Sequence, residues 1–330
     1  MCVVYWTTDD PEYSLILASN RDEFLARPAS PAQWRTVHGR SGNDLTMLGG
    51  LDSLAGGTWL GVTRTGAFAV LTNVTEHPRP EMDEQGRPLC SRGELVMAWM
   101  EAHQGPRPRD GADVLQDLFR VRQRYAGFNL LAGCVQGTEV RMGYVTNRVE
   151  ATEPDILAVS GSGEVYGLSN STLHTPWPKI AYGKSALQHV LSEPRTTPDE
   201  LIERLFGVMS ESQRTIHVMD DMQHTVHVSP CRLPSNVEGT RLATADELPA
   251  GHRSWYGTRT STVLLISRTA PARALFVERD TYALPHDGQR APVRLGSCKE
   301  HERRYEWVVT TGQCDKHGES PRGRPEKCCG

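Results

Sequence analysis

The order of secondary-structure signals predicts an α+β protein built from antiparallel sheets. Strand signals come in blocks, helix signals come in blocks, and strands return at the end, unlike the alternation of a parallel βαβ series. The early strands are joined by tight turns, as antiparallel neighbours are. No Gly-x-Gly-x-x-Gly or Walker-type loop and no internal repeat points to another class.

Taken in order, Cys2 to Trp6 and Tyr13 to Ser19 flank an Asp9-Asp10-Pro11 turn and read as a first hairpin. Glycines at 49, 50, 56 and 57 lead into a second, Thr58 to Val62 and Ala67 to Asn73, about the turn Arg64-Thr65-Gly66. Ser91-x-x-Glu94 is a capping box ahead of Leu95 to Trp99, and Val114, Leu115, Leu118 and Val121 recur at helical spacing over 113–125. Phe128 to Val135, Glu139 to Tyr144 and Val165 to Ser169 read as strands, followed by helices over 179–192 and 198–210. Thr197-Pro198-Asp199-Glu200 supplies the last helix with an N-cap, a first-turn proline and a capping glutamate. Late strands are Ser261 to Ser267, Ala274 to Glu278 and Tyr305 to Val309. From Gly312 onward Gly, Pro, Lys, Arg and Glu dominate, which predicts one domain over 1–311 and a disordered tail over 312–330.

Bulk composition narrows the function. Of 330 residues, 38% are hydrophobic and 23% charged, enough for a substantial core. A formal net charge of −4 with interspersed signs leaves no basic face for nucleic acid. No apolar run approaches the roughly 18 to 20 residues that span a bilayer, so no transmembrane segment is expected. The start of the chain turns polar and acidic at Thr7 to Glu12 and carries neither a signal peptide nor an Arg-rich presequence. Cytoplasmic residence is therefore expected, with attachment to the Golgi or to mitochondria left open. Eight cysteines lie without regular spacing and with no C-x-x-C pair, as thiols of a reducing compartment would. Cys314, His317, Cys328 and Cys329 do not have zinc-site spacing, and neither a metal nor a cofactor is expected.

The chemistry lies at the beginning. Cysteine after the initiator methionine is small enough for Met1 to be removed, leaving Cys2 with a thiol and a free α-amine. A thiol titrates near ~8.5 and an α-amine near ~7.7 to 8.0, so one residue can carry both nucleophile and base. Position alone fits better a cysteine that merely begins a partly buried strand, and the next motif changes that balance. Ser19-Asn20-Arg21-Asp22-Glu23-Phe24 closes the partner strand with two carboxylates and a guanidinium beside Cys2. An arginine there favours thiolate and a carboxylate orients the ammonium. Because neighbouring strand residues face opposite ways, Arg21 and Asp22 cannot both reach Cys2 unless the strand has ended, and the orienting carboxylate is either Asp22 or Glu23. Acyl transfer also needs oxyanion donors, for which Asn73 and Asn170, each at a strand end, are candidates. Each is also an ordinary turn-forming residue.

Met1-Cys2, Ala18 to Phe24, Gly56 to Gly61, Leu71 to Asn73, Ser91 to Leu95, Gly127 to Leu130, Tyr166 to Asn170 and Gly257 to Thr260 together resemble the transport and Golgi organization protein 2 family, also called the NRDE family. They stand in the family's order over residues 1 to about 310. The resemblance implies an N-terminal-nucleophile hydrolase fold, a four-layer αββα sandwich of two antiparallel sheets between helix layers. In cysteine members of that superfamily, such as penicillin and bile-salt acylases, the mature N-terminal Cys attacks an amide with help from an Arg and an Asp, two Asn residues and a later Arg. The matching positions are Cys2, Arg21, Asp22, Asn73, Asn170 and Arg259, although the acylases separate the Arg and Asp by two residues. Asn20, Glu23 and Trp59 are assigned to substrate binding.

Two functions follow as expectations. One is a hydrolase or acyltransferase with a cysteine nucleophile acting on a linear amide or thioester, in a family linked to Golgi organization and protein secretion. The other is a non-catalytic carrier or organising protein that binds acyl-CoA, lipid or haem, although no Cys-Pro haem motif is present.

Overall fold

The computed structural model describes residues 2–39, 42, 44–76, 80–104, 108–148, 150–157, 163–195, 197–232, 255–285, 291–296 and 299–310. Its strands are β1 Cys2–Thr7, β2 Tyr13–Phe24, β3 Ala29–His38, β4 Asp44–Asp52, β5 Leu60–Val62, β6 Phe68–Asn73, β7 Phe128–Gln136, β8 Glu139–Thr146, β9 Asp155–Leu157, β10 Tyr166–Leu168, β11 Cys231–Arg232, β12 Trp255–Ser267, β13 Arg273–Asp280, β14 Tyr282–Ala283, β15 Val293–Arg294 and β16 Glu302–Val308. The α-helices are α1 Gly93–Ala102, α2 Gly111–Arg120, α3 Pro178–Ser192 and α4 Pro198–Met209.

Among the described residues the strands form two large antiparallel sheets. The first runs β10-β1-β2-β12-β13-β16 with β11 beside β12, and the second runs β3-β4-β5-β6-β7-β8-β9. Alternation along each strand divides most of the apolar residues among three large cores, and Phe24, Met222, Val228 and Tyr256 form a smaller fourth cluster. Val4, Trp6, Leu15 and Leu17 of the first sheet meet Leu48, Val62, Phe68 and Leu131 of the second. The other face of the first sheet, with Val3, Tyr5, Ile16 and Ala18, packs on Ile180 and Leu187 of α3 and Leu205 of α4. The other face of the second sheet, with Leu45, Ala69 and Leu130, packs on Trp99 of α1 and Leu115 of α2. The layers are therefore helix, sheet, sheet and helix, the αββα sandwich expected from the sequence.

Local chemistry sets the helix ends. Asp110 caps α2 by accepting from the Ala112 N–H, and Thr197 caps α4 by accepting from the Glu200 N–H ahead of Pro198. α1 starts at Gly93, two residues after Ser91, with Arg92 rather than Ser91 at the cap position and no side-chain cap bond from Arg92. α3 seats on β1 at one close approach, where a Cβ on Gly183 would lie 2.1 Å from the Tyr5 ring and the Tyr5 hydroxyl donates to the Lys179 carbonyl at 2.8 Å.

Several elements exceed the sequence reading, the short strands β9, β11, β14 and β15 among them. The β3–β4 hairpin was not expected, because edge strand β3 is only partly buried and shows little apolar alternation. β2 continues through polar Ser19 to Glu23, and β12 begins at Trp255 rather than at Ser261, because these two polar stretches pair with each other. The predicted tail at 312–330, with Cys314, His317, Cys328 and Cys329, lies outside the described residues, as does Met1. Among the described residues no helix is long and apolar enough to cross a membrane.

Candidate functional site

Cys2 opens β1 opposite Arg21 of β2. Val3 and Tyr5 face the α3–α4 core whereas Val4 and Trp6 face the core between the sheets. Alternation therefore turns Cys2 and Arg21 toward the second sheet and Asp22 toward the helices. Because β2 runs on to Phe24, the strand has not ended at Asp22, and the two charged neighbours serve opposite faces.

The Cys2 backbone is gripped from β10. Its N–H donates to Asn170 Oδ1 at 3.0 Å, and its carbonyl accepts from the Ser169 hydroxyl at 2.7 Å. Asn170 is oriented in turn, since its Nδ2 donates to the Asn73 carbonyl at 2.6 Å and the Ser169 hydroxyl also reaches its Oδ1 at 3.2 Å. Asn170 is thus placed to hold the Cys2 nitrogen, and Asn73 joins the site through its backbone carbonyl. Cys2 itself is 9% exposed. Burial pushes its thiol up, the chain's terminal positive charge, the Asp22 N–H and Arg21 pull it back, and the Asp22 carboxylate adds to the rise.

Arg21 is buried with its guanidinium 4.0 Å from the centre of the Trp59 ring and Nη2 3.6 Å from Asp52 Oδ2, while Nη1 has no hydrogen-bond partner among the described residues. Arg27 donates Nε to the same Asp52 carboxylate at 2.7 Å and lies 3.8 Å from Glu23 Oε2. Arg259 occupies a bulge between the pairs Thr258–Asp22 and Thr260–Arg21, and its guanidinium donates to the Arg27 carbonyl. Burial and the like charge of Arg21 push Arg259 down to about 10. Arg21, Glu23, Arg259 and Trp59 thus meet at one rim of the inter-sheet layer, where Trp59 is a platform for Arg21 and Glu23 is a neighbour of Arg27.

Asn20 is placed elsewhere. It is fully buried on the helix face, its Nδ2 donating to the Met209 and Val226 carbonyls and its Oδ1 accepting from Ser261. It ties β2 to α4 and does not share a face with Cys2. Asp22 lies on that helix side too and accepts from the Thr258 hydroxyl at 2.6 Å. Burial pushes its carboxyl up, while the chain terminus, Lys179 and Thr258 pull it down.

Three contributors were not singled out from the sequence. Asp52 ends β4, a strand the sequence did not announce, and Lys179 comes from a segment whose pattern announces only a helix. Asn129 stands in the apolar run Phe128-Asn129-Leu130-Leu131, where a polar residue in a buried strand is itself a signal. Its Nδ2 lies within hydrogen-bond reach of Thr72 Oγ1 and the Ser169 and Ser171 carbonyls, and its Oδ1 accepts from Tyr144. This network anchors the segment that carries Asn170. Asn129→Leu is expected to lower unfolding free energy in denaturant titration by about 3 kcal/mol, because several buried groups lose their partners at once.

Among the described residues a cavity of about 310 Å³ opens on the opposite side of the first sheet, lined by Glu203, Phe206, Ser261, Arg279, Asp280 and Arg294 among others. Ser261 alternates with Thr262 and shares the helix face of Val263, so this cavity does not open onto Cys2.

Comparison with known proteins gives a consistent set of relatives. The family described as Transport and Golgi organisation 2 matches residues 1–283. A Transport and Golgi organization 2 homolog of Mus musculus is 32% identical over 290 residues, covering 84% of this chain and 92% of its own length. The Homo sapiens homolog matches to the same extent, and an uncharacterized protein of Saccharomyces cerevisiae is 26% identical over 318 residues, 92% of this chain and 98% of its own. Among solved structures, a Caenorhabditis elegans N-acylethanolamine-hydrolyzing acid amidase ortholog is similar at 12% identity and a TM-score of 0.32, over 62% of this chain and 85% of that one. A likeness that slight bears on neither fold nor chemistry.

Proposed function

The chain belongs to the Transport and Golgi organisation 2 family, and from that premise we propose that it is a hydrolase or acyltransferase of linear amides or thioesters whose nucleophile is Cys2 freed of Met1. The observation that carries the reading is the grip on Cys2: its nitrogen lies 3.0 Å from Asn170 Oδ1 while Arg21 shares its strand face. Any buried N–H needs an acceptor; what favours the reading is that this one is an asparagine amide oriented by Asn73 and Ser169, on a residue that faces Arg21.

In the proposed reaction the unprotonated α-amine of Cys2 takes the thiol proton and the thiolate attacks the carbonyl carbon. The resulting oxyanion is met by Nη1 of Arg21, a buried donor without a hydrogen-bond partner among the described residues. The ammonium returns its proton to the leaving nitrogen or sulfur as the bond to carbon breaks, and water or an amine then releases the acyl group from the thioester. Asn170 orients the amine throughout. The family's name links it to Golgi organisation and transport, and the acyl chemistry is proposed to serve that setting in the cytoplasm, on a small acyl or amide substrate and without a cofactor.

Two measurements test this reading together. The intact mass of protein from its native host is expected to lack Met1, and an activated acyl ester is expected to leave its acyl group on Cys2, located by peptide mass spectrometry. Catalytically active protein that retains the methionine refutes it.

A carrier for acyl-CoA, lipid or haem is the second reading, and the depth of Cys2, at 9% exposed with a thiol raised by burial, favours it. A carrier binds its ligand equally well whether or not the thiol is present, which ligand titration of both forms decides.

A further inference from the structure

Lys179 is the buried cation that the reaction above leaves unused. It sits in the first turn of α3, is 1% exposed, and its Nζ has no hydrogen-bond partner among the described residues. An ammonium sealed from water without a counter-charge is among the costliest arrangements in a protein, so its compensation must be found nearby. The Tyr5 hydroxyl, bound to the Lys179 carbonyl, fixes this turn over the helix face of β1, the face on which Asp22 lies.

Other acids on the elements packed against α3 are already engaged. Asp221, in the 3-10 helix Met219–His224, accepts from the His217 and Val218 N–H groups and pairs with Arg214. On α4, Asp199, Glu200 and Glu203 pair with Arg304, Arg204 and Arg279. Tyr166 of β10 lies under Lys184, and Tyr5 is a phenol that burial and Asp22 hold neutral. Beside the Trp177 ring, whose centre lies 5.6 Å from Nζ, the acid coupled to Lys179 is Asp22, which accepts from Thr258 and whose charge is felt by Cys2, Tyr5 and Cys231 as well as by Lys179. Burial pulls the Lys179 ammonium down and pushes the Asp22 carboxyl up, and each draws the other back toward its charged form.

We infer that Lys179 is the counter-charge of Asp22 and, through it, a positioning residue that keeps the freed Cys2 amine unprotonated. The logic is one of competition for a single negative charge. Asp22 follows Arg21, the residue opposite Cys2, and its carboxyl feels the positive charge of the chain terminus and that of Lys179. With Lys179 in place the amine is released from that duty and can accept the thiol proton. Without it the amine becomes the compensating ammonium, a form with no lone pair to act as base.

The inference rests on the reading of Cys2 as a terminal nucleophile, and its test is made on resting protein without substrate. Full-length protein carrying 13C-cysteine, with an N-terminal Cys2 verified by mass, is titrated while the Cys2 Cα and Cβ resonances report the amine. Lys179→Met is expected to raise the amine midpoint by about one unit, so that about tenfold less of it is unprotonated at a pH below the midpoint. Lys179→Arg is expected to stay near wild type, and the double variant Asp22→Asn with Lys179→Met, which removes both charges, is expected to restore the wild-type midpoint. If Lys179→Met does not fold, the decision passes to Asp22→Asn, whose midpoint is expected below wild type. A Lys179→Met midpoint within about 0.3 unit of wild type, or an Asp22→Asn midpoint at or above it, overturns the inference. Either result leaves open whether Cys2 turns over a substrate, whereas protein that always retains Met1 sinks both readings together.

Discussion

Cys2→Ala is expected to lower kcat/KM for an acyl donor by about a thousandfold or more and to abolish covalent acylation, while the fold is kept. The asymmetry follows from where the residue sits. The sulfur is the only atom of the side chain that alanine lacks, and its loss beside a strand end leaves a small void worth about 1 kcal/mol. The backbone contacts that hold β1 to β10, from Cys2 N–H to Asn170 and from Ser169 to the Cys2 carbonyl, use no side-chain atom of Cys2 and survive the change. Steady-state hydrolysis of a series of acyl esters and amides, with a denaturation curve on the same samples, checks the two halves separately. Undiminished turnover in well-folded Cys2→Ala would remove the thiol from the mechanism.

Asn170→Ala is expected to cost both catalysis and stability: about a hundredfold or more in kcat and about 2 to 3 kcal/mol of unfolding free energy. The catalytic part arises because the amine loses the acceptor that aims it at the thiol. The stability part arises because the Asn73 carbonyl, the Cys2 nitrogen and the Ser169 hydroxyl lose a common partner in a buried place. Asn170→Asp separates the two. An aspartate keeps an oxygen for the Cys2 nitrogen and brings a negative charge, which favours the ammonium and raises the amine above its ordinary value. Activity that needs the neutral amine is then expected to be lost near neutrality and regained as pH rises through the new value. A pH–rate profile of Asn170→Asp superimposable on wild type would show that the contact at 3.0 Å does not govern the amine.

Much of this was legible in the residues. Hydrophobic alternation located β1, β6, β7, β8 and β13, helical spacing located α2, and Thr197-Pro198 marked the start of α4, because each of these signals depends only on which neighbours along the chain share a face. The family resemblance assigned Cys2, Arg21, Asp22, Asn73, Asn170 and Arg259 to one site; the structure places Cys2, Arg21, Asn170 and Arg259 at the same end of the first sheet, turns Asp22 to the helix face and brings Asn73 in through its carbonyl. Polar strand segments were harder to read. Nothing in Asn20 to Glu23 says that the chain stays extended, since the partner that keeps it so is Gly257 to Ser261, more than 230 residues away.

By itself, then, the sequence determined the layered class, the family and the residue that can act as nucleophile and base, because period, order and chemical type are properties of the chain. Only the tertiary structure decided which face each charged residue serves. It sent Arg21 toward Cys2 and Asp22 toward the helices, spent Asn20 on the α4 contact, and gave Asn73 a backbone role. The physical reason is that adjacent strand residues differ by half a turn. Which half faces a sheet and which a helix is fixed only when distant elements arrive to bury it.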